Sequence, residues 1–180
     1  MCRIRSTVHS SRSCLAPRGF LLIEVLVSIV IISIGLLGMA SLHAVAVAKG
    51  NSSLLRSKAT ELGYAMADRI RVNLVASGAG AYANLTPGSG LTDPGCITLN
   101  CTPAQLAVSD YLEWNTEVGA SLPQGSGVVC IDSTPDDGTP AAPDCDGLGN
   151  VLVVKVFWSE TTKGQITPRI FAFSTPLRPS

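Results

Sequence analysis

Histidine is almost missing from this chain. Two occur in 180 residues, His9 in a basic N-terminal stretch and His43 at the far end of an apolar run. The distal part of the sequence therefore cannot build a Ser-His-Asp or Cys-His arrangement, and it holds neither a Gly-rich phosphate loop nor a metalloprotease motif. No catalytic residue, metal or other cofactor is assigned, and an enzyme is not expected. Charge is scarce too, at 14% of residues with a formal net of zero. Residues 1–19 contain no acid but four arginines, Arg3, Arg5, Arg12 and Arg18; the remainder keeps nine basic residues against thirteen acidic ones, a net of −4. An acidic remainder has no electrostatic footprint for nucleic acid. A basic head in front of an apolar run is expected to stay in the cytoplasm.

The apolar run is what the sequence has in excess. From Phe20 to Val47 the only ionisable residues are Glu24 and His43. Twenty helical residues cover about 30 Å, the thickness of a bilayer core, so Phe20 to about Ala40 can span. The run is too long for a cleaved secretory signal. Cys14 precedes it and follows Ser-Arg-Ser, which argues against a lipoprotein signal. One carboxylate inside a membrane segment costs about 2.5–3.5 kcal/mol on insertion scales, so Glu24 needs a reason. Snorkelling to the cytoplasmic interface is one.

Six cysteines divide between the basic head (Cys2, Cys14) and the distal half (Cys96, Cys101, Cys130, Cys145). Four cysteines outside the cytoplasm allow three pairings. The nearest-neighbour one, Cys96–Cys101 with Cys130–Cys145, is favoured over crossed pairings or four free thiols. Closing a loop of about 15 residues stabilises by roughly 3 kcal/mol in the chain-entropy model. The spacings C-x4-C and C-x14-C do not fit zinc, and no histidine lies nearby.

The order basic head, Gly19, Phe20, three apolar residues, Glu24 ("G-FLLIE", followed by "VLVSIVIISIGLLG") resembles the class III signal of type IV prepilins and pseudopilins. The resemblance implies cleavage after Gly19 by a membrane aspartic prepilin peptidase, N-methylation of Phe20, and retention of the apolar segment. Leu21 stands where family members often have threonine, and the 19-residue leader is longer than most, as if translation began downstream of Met1. The resemblance also gives Glu24 a role in subunit assembly. In a bundle of helices it can pair with the new Phe20 ammonium of a neighbour and set axial register, the best-attested use of a buried ion pair. The stretch "LLRSKATELGYAMADRIRVN" is similar to the corresponding part of PilV-type minor pilins, with "MADR-x-R-x-N" as its core. In outline the head agrees: a helix with Trp114, "LP-x-G-x-G-V" (Leu122, Pro123, Gly125, Gly127, Val128) and "VFWSE".

Four segments are expected: a leader, 1–19, which is removed; a transmembrane and polymerisation half-helix, 20–48; an amphipathic half-helix, 49–74; and a disulfide-containing head, 75–180. Leu55, Leu62, Met66 and Ile70 share one helix face. Lys58–Glu61 and Asp68–Arg71 are i,i+3 pairs off it. Gly50-Asn51-Ser52-Ser53 is a weak point. Residues 75–101, rich in Gly, Ala, Ser and Pro, read as a linking loop. Thr102, Pro103 and Gln105 open a capped helix. Tyr111, Trp114 and Val118 share its face, and core packing is a better account of Trp114 than ligand stacking. "GVVCI", "NVLVVKVFWSE" and "QITPRIFAFST" read as strands, with "TTKG" a hairpin turn and Pro168 marking an edge or a late start. The fold class is α+β, pilin-like, with a small antiparallel sheet packed on the long helix. Asp132, Asp136, Asp137, Asp144 and Asp146 raise calcium, but the spacing is not that of an EF-hand and no glutamate closes a site, so a solvated, disulfide-stapled loop is expected.

The resemblance implies a structural subunit that primes or modulates pilus assembly, adhesion or twitching. Its partners would be the prepilin peptidase, other minor pilins, the major pilin, an inner-membrane platform and an assembly ATPase. It would sit in the inner membrane by a single pass, head in the periplasm, and later in the fibre. A type II secretion pseudopilin is the alternative within the family. A membrane-anchored binding module that never polymerises is the alternative outside it.

Overall fold

The computed structural model describes residues 21–162 and 164–176. Gly19 and Phe20, the expected cleavage and methylation positions, lie outside the described residues, as does the basic head. The chain divides into two compact units, Met1–Val45 and Ala46–Ser180. A single helix, α1 (Leu22–Val72), supplies residues to both. Next come α2 (Leu74–Gly78), β1 (Asn84–Leu85), α3 (Pro103–Ser121), β2 (Ser126–Ile131), β3 (Val151–Thr162) and β4 (Gln165–Pro176). The fold is α+β: a long N-terminal apolar helix and a four-stranded antiparallel sheet in the order β1-β2-β3-β4.

In the second unit, α1 buries Ala59, Leu62, Gly63, Met66, Ala67 and Ile70, while Leu55 is half-buried. Gly50 to Ser53 stay helical, because one glycine costs only about 1 kcal/mol in a helix interior. Lys58–Glu61 (3.1 Å) and Asp68–Arg71 (2.7 Å) pair along the exposed side. The start of α3 is a capping box: Thr102 Oγ1 accepts from the Gln105 amide, and Gln105 Oε1 accepts from the Thr102 amide at 2.9 Å. Ala107, Tyr111, Trp114 and Val118 form its buried stripe.

β3 is buried on both sides, which explains why it reads as a nearly continuous apolar run. Leu152, Val154, Val156 and Trp158 join the helices in the main core. The alternate positions point the other way, where Phe157, Val128 and Cys130 pack with Cys145 and Ile170. β4 is an edge strand, and Pro168 fits there for a visible reason. It faces Ser159, whose amide turns away from β4 to donate to Pro123 O at 2.9 Å. That pair needs no N–H from β4, so the proline costs no ladder bond. The β3–β4 hairpin closes at Thr162 and Gln165, with Gly164 at φ 79°.

One expectation is corrected. Residues 75–101 are more than a link, because they contribute most of α2 and all of β1, and Ala76, Tyr82 and Leu85 are buried. β2 would otherwise lack a partner on that side. β1 meets it only at Val129 and Cys130, and Ile131 N adds a bond to Ala83 O. Further along β2, α3 takes over: the Gly127 amide donates to Asn115 Oδ1 (2.8 Å), and Tyr111 Oη donates to Gly127 O (3.0 Å). Side chains of a helix thus complete the ladder.

Candidate functional site

The described part of the first unit presents an exposed helical surface. From Leu21 to Val47 every large apolar side chain of the helix is exposed, around its whole circumference. Residues 22–45 extend for about 36 Å at 1.5 Å per residue. The segment's mean hydropathy reaches 2.6, long and apolar enough to cross a membrane. A helix apolar on all sides requires cover. Two of its hydroxyls are satisfied within the helix: Ser28 donates to Glu24 O and Ser33 to Ile29 O, both at 2.7 Å. Glu24 lies in the first turn, where the helix dipole favours an anion. Its carboxylate makes no hydrogen bond or ion pair among the described residues and is the sole acid in the apolar stretch.

In the second unit, "MADR-x-R-x-N" acts as a joint. Met66 and Ala67 are core residues. Arg69 bridges to α3, with Nη1 2.9 Å from Glu113 Oε2 and 3.2 Å from Asp110 O. Burial raises the Asp110 carboxyl above the usual range, with the Arg69 charge opposing and Glu113 adding to the rise. Arg71 pairs with Asp68 and lies 5.3 Å from the centre of the Phe173 ring on β4. Asn73 ends α1, caps α2 through Ala76 N, and donates to Pro103 O (2.8 Å) and Tyr82 Oη (3.2 Å). Burial pushes the Tyr82 hydroxyl up to about 12, against the Asn73 hydrogen bond. Trp114 closes the joint by donating Nε1–H to Leu62 O at 2.8 Å.

Cys96 pairs with Cys101 and Cys130 with Cys145, at Cα separations of 5.5 and 6.1 Å. The second bridge ties the acidic loop to β2. That loop is not simply solvated, as expected, because Asp132 is only 2% exposed. Lys155, fully buried on β3, lies 2.5 Å from Asp132 Oδ2 and 2.9 Å from Asp137 Oδ1, and donates to Asp137 O (3.2 Å) and Pro143 O (2.9 Å). Burial works to lower the Lys155 pKa, yet the two carboxylates win and raise it. Hydrogen bonds from Thr134 and Lys155 hold Asp137 below the usual carboxylate range. Asp146 is engaged by Ser133 and the Leu148 amide, which lower it likewise. Among the described residues no group of three or more His, Cys, Asp or Glu side chains is placed to hold a metal ion. A cleft of 290 Å³ between residues 86–91 and α3 is bordered by Tyr111 and Asn115, both already engaged with Gly127.

No protein-family model, curated protein or solved structure matches the chain. The site residues therefore rest on chemistry and geometry alone. Sequence reasoning missed Lys155, although a lysine inside "VLVVKVFW" close behind five aspartates was a usable signal. It placed Asn73 and Gly127 in motifs but gave neither a contact, because their partners lie on other elements.

Proposed function

We propose that this chain is a minor pilin of a type IV pilus, of the PilV type, made as a prepilin, cleaved after Gly19 and N-methylated at Phe20. It is a structural subunit, not a catalyst. One observation carries the reading: the part of α1 from Leu22 to Val45 is apolar on every side and holds a single carboxylate, Glu24, at the fifth position after Gly19. The inner membrane covers such a helix before assembly, and the helices of other pilins cover it afterwards. In the assembled bundle Glu24 pairs with the Phe20 ammonium of a neighbour, which offsets its burial and sets the axial step. The head, periplasmic in the membrane form, is held on the same helix through the Met66–Asn73 joint and stapled by two disulfides suited to an oxidising compartment. The partners are the prepilin peptidase, the other minor pilins, the major pilin and the inner-membrane platform. The role is to prime or modulate pilus assembly, and with it adhesion or twitching. Intact-mass and N-terminal analysis of membrane-extracted protein tests this. A mature chain beginning at N-methylated Phe20 supports it; a chain still beginning at or near Met1 in a strain with active prepilin peptidase overturns it.

A further inference from the structure

Five aspartates in one loop invite a divalent cation, yet the structure puts a cation of the protein's own among them. The Lys155 ammonium is fully buried and has four oxygens around it. Two are carboxylate oxygens, Asp132 Oδ2 (2.5 Å) and Asp137 Oδ1 (2.9 Å); two are carbonyls, Asp137 O (3.2 Å) and Pro143 O (2.9 Å). Carboxylates and backbone carbonyls from one loop are the donor set of a hard-cation site. Asp132 Oδ2 is buried, and among the described residues its one partner is the Lys155 ammonium beside it. The loop is shaped for this. Gly138 has φ 88° and its backbone lies against the Pro143 carbonyl, where a Cβ would collide. Thr139 and Ala142 exchange backbone hydrogen bonds, and Gly147 N donates to Ile131 O. The closed loop lies over the face of the sheet opposite the helices, where Cys145 packs on Val128, Cys130 and Phe157.

We propose that Lys155 is the resident cation of the acidic loop: its ammonium occupies the place a calcium ion would take, so that residues 132–150 close over the sheet without metal. A lysine on β3 delivers the charge at a fixed position, and folding of the sheet alone sets its occupancy. This stands whether or not the chain enters a pilus.

Hydrogen exchange on the full chain in detergent tests it, read at the amides of Thr139, Ala142 and Gly147. In the wild type, neither EDTA nor millimolar calcium chloride should change their protection; opening by EDTA would overturn the proposal. Lys155→Met leaves two carboxylates facing each other without a counter-charge. The loop amides should then lose protection by about 150- to 5,000-fold, the size expected from breaking a buried pair on one side. Calcium chloride should restore that protection, and α3 amides should stay unchanged throughout. A Lys155→Met loop that stays closed in EDTA, or one that opens and ignores calcium, sinks the idea. Should α3 also lose protection, Asp137→Asn supplies the reading: its loop should loosen by about tenfold, the scale of one charge-assisted hydrogen bond, and remain indifferent to EDTA. Unaltered loop protection in that variant counts against the cage.

Discussion

The indole of Trp114 on α3 donates to the carbonyl oxygen of Leu62 on α1 at 2.8 Å, and its six-membered ring lies directly against Gly127 of β2. One side chain thereby touches helix, helix and sheet. Leu62, Trp114 and the neighbouring Val118 are almost completely buried. Gly127 has to be glycine because a Cβ there would enter the Trp114 ring, not because of its backbone angles.

Two substitutions separate these effects. Trp114→Phe keeps most of the apolar area but removes the second hydrogen bond at the Leu62 carbonyl, which retains its helical one, and leaves space where the larger ring stood; it should cost about 1–3 kcal/mol. Gly127→Ala leaves every hydrogen bond in place yet overpacks against a rigid ring, and should cost about 1–3 kcal/mol as well. Denaturant melts of the solubilised chain followed by circular dichroism measure both. If the two sites act through the same contact, the double variant Gly127→Ala/Trp114→Phe should lose less than the sum, because the smaller ring vacates the space that the new methyl needs.

Glu24→Val separates assembly from insertion. Removing the one acid from an apolar helix makes insertion easier, not harder. On the pilin reading proposed above, it also leaves a neighbour's Phe20 ammonium unpaired, and breaking a buried pair on one side costs about 3–5 kcal/mol. If that reading holds, the variant should be inserted and cleaved normally but fail to join the pilin complex. Co-purification and counts of surface pili at equal membrane abundance give the measurement. Wild-type incorporation of Glu24→Val would mean the carboxylate only snorkels.

Acid should loosen the head through Glu160. Burial raises its pKa, but the Trp158 indole (3.1 Å), the Ser52 hydroxyl (3.0 Å) and Arg169 (3.3 Å) outweigh burial and hold it below the usual range. A depressed carboxylate contributes stability that is fully present above its unfolded pKa, about 4.3, and lost as pH falls through the lower folded value. Glu160→Gln should consequently be less stable than wild type at pH 7, and the gap should narrow only below about pH 4. Melts from pH 3 to 7 check the sign. A gap independent of pH would assign the loss to packing.

Local chemistry wrote much of this protein into its sequence. The span around Glu24, the capping box at Thr102 and Gln105, the stripe of Tyr111, Trp114 and Val118, and the edge position of Pro168 all depend on residues a few positions apart. Periodicity, caps and proline geometry act at that range, so they can be read without a fold. The tertiary structure decided what distant residues do to one another. Nothing near Asn73 in sequence says that it will meet Pro103, and nothing near Asn115 says that it will complete the edge of β2. Leu74–Gly78 and Asn84–Leu85 are too short to show a period, and they exist because α3 and β2 offer them partners. Lys155 shows the difference most clearly. A charge in an apolar strand looks like a defect until the loop from Asp132 to Pro143 folds back over it, because the free energy of a buried charge depends on the oxygens that surround it, and only the closed fold brings them there.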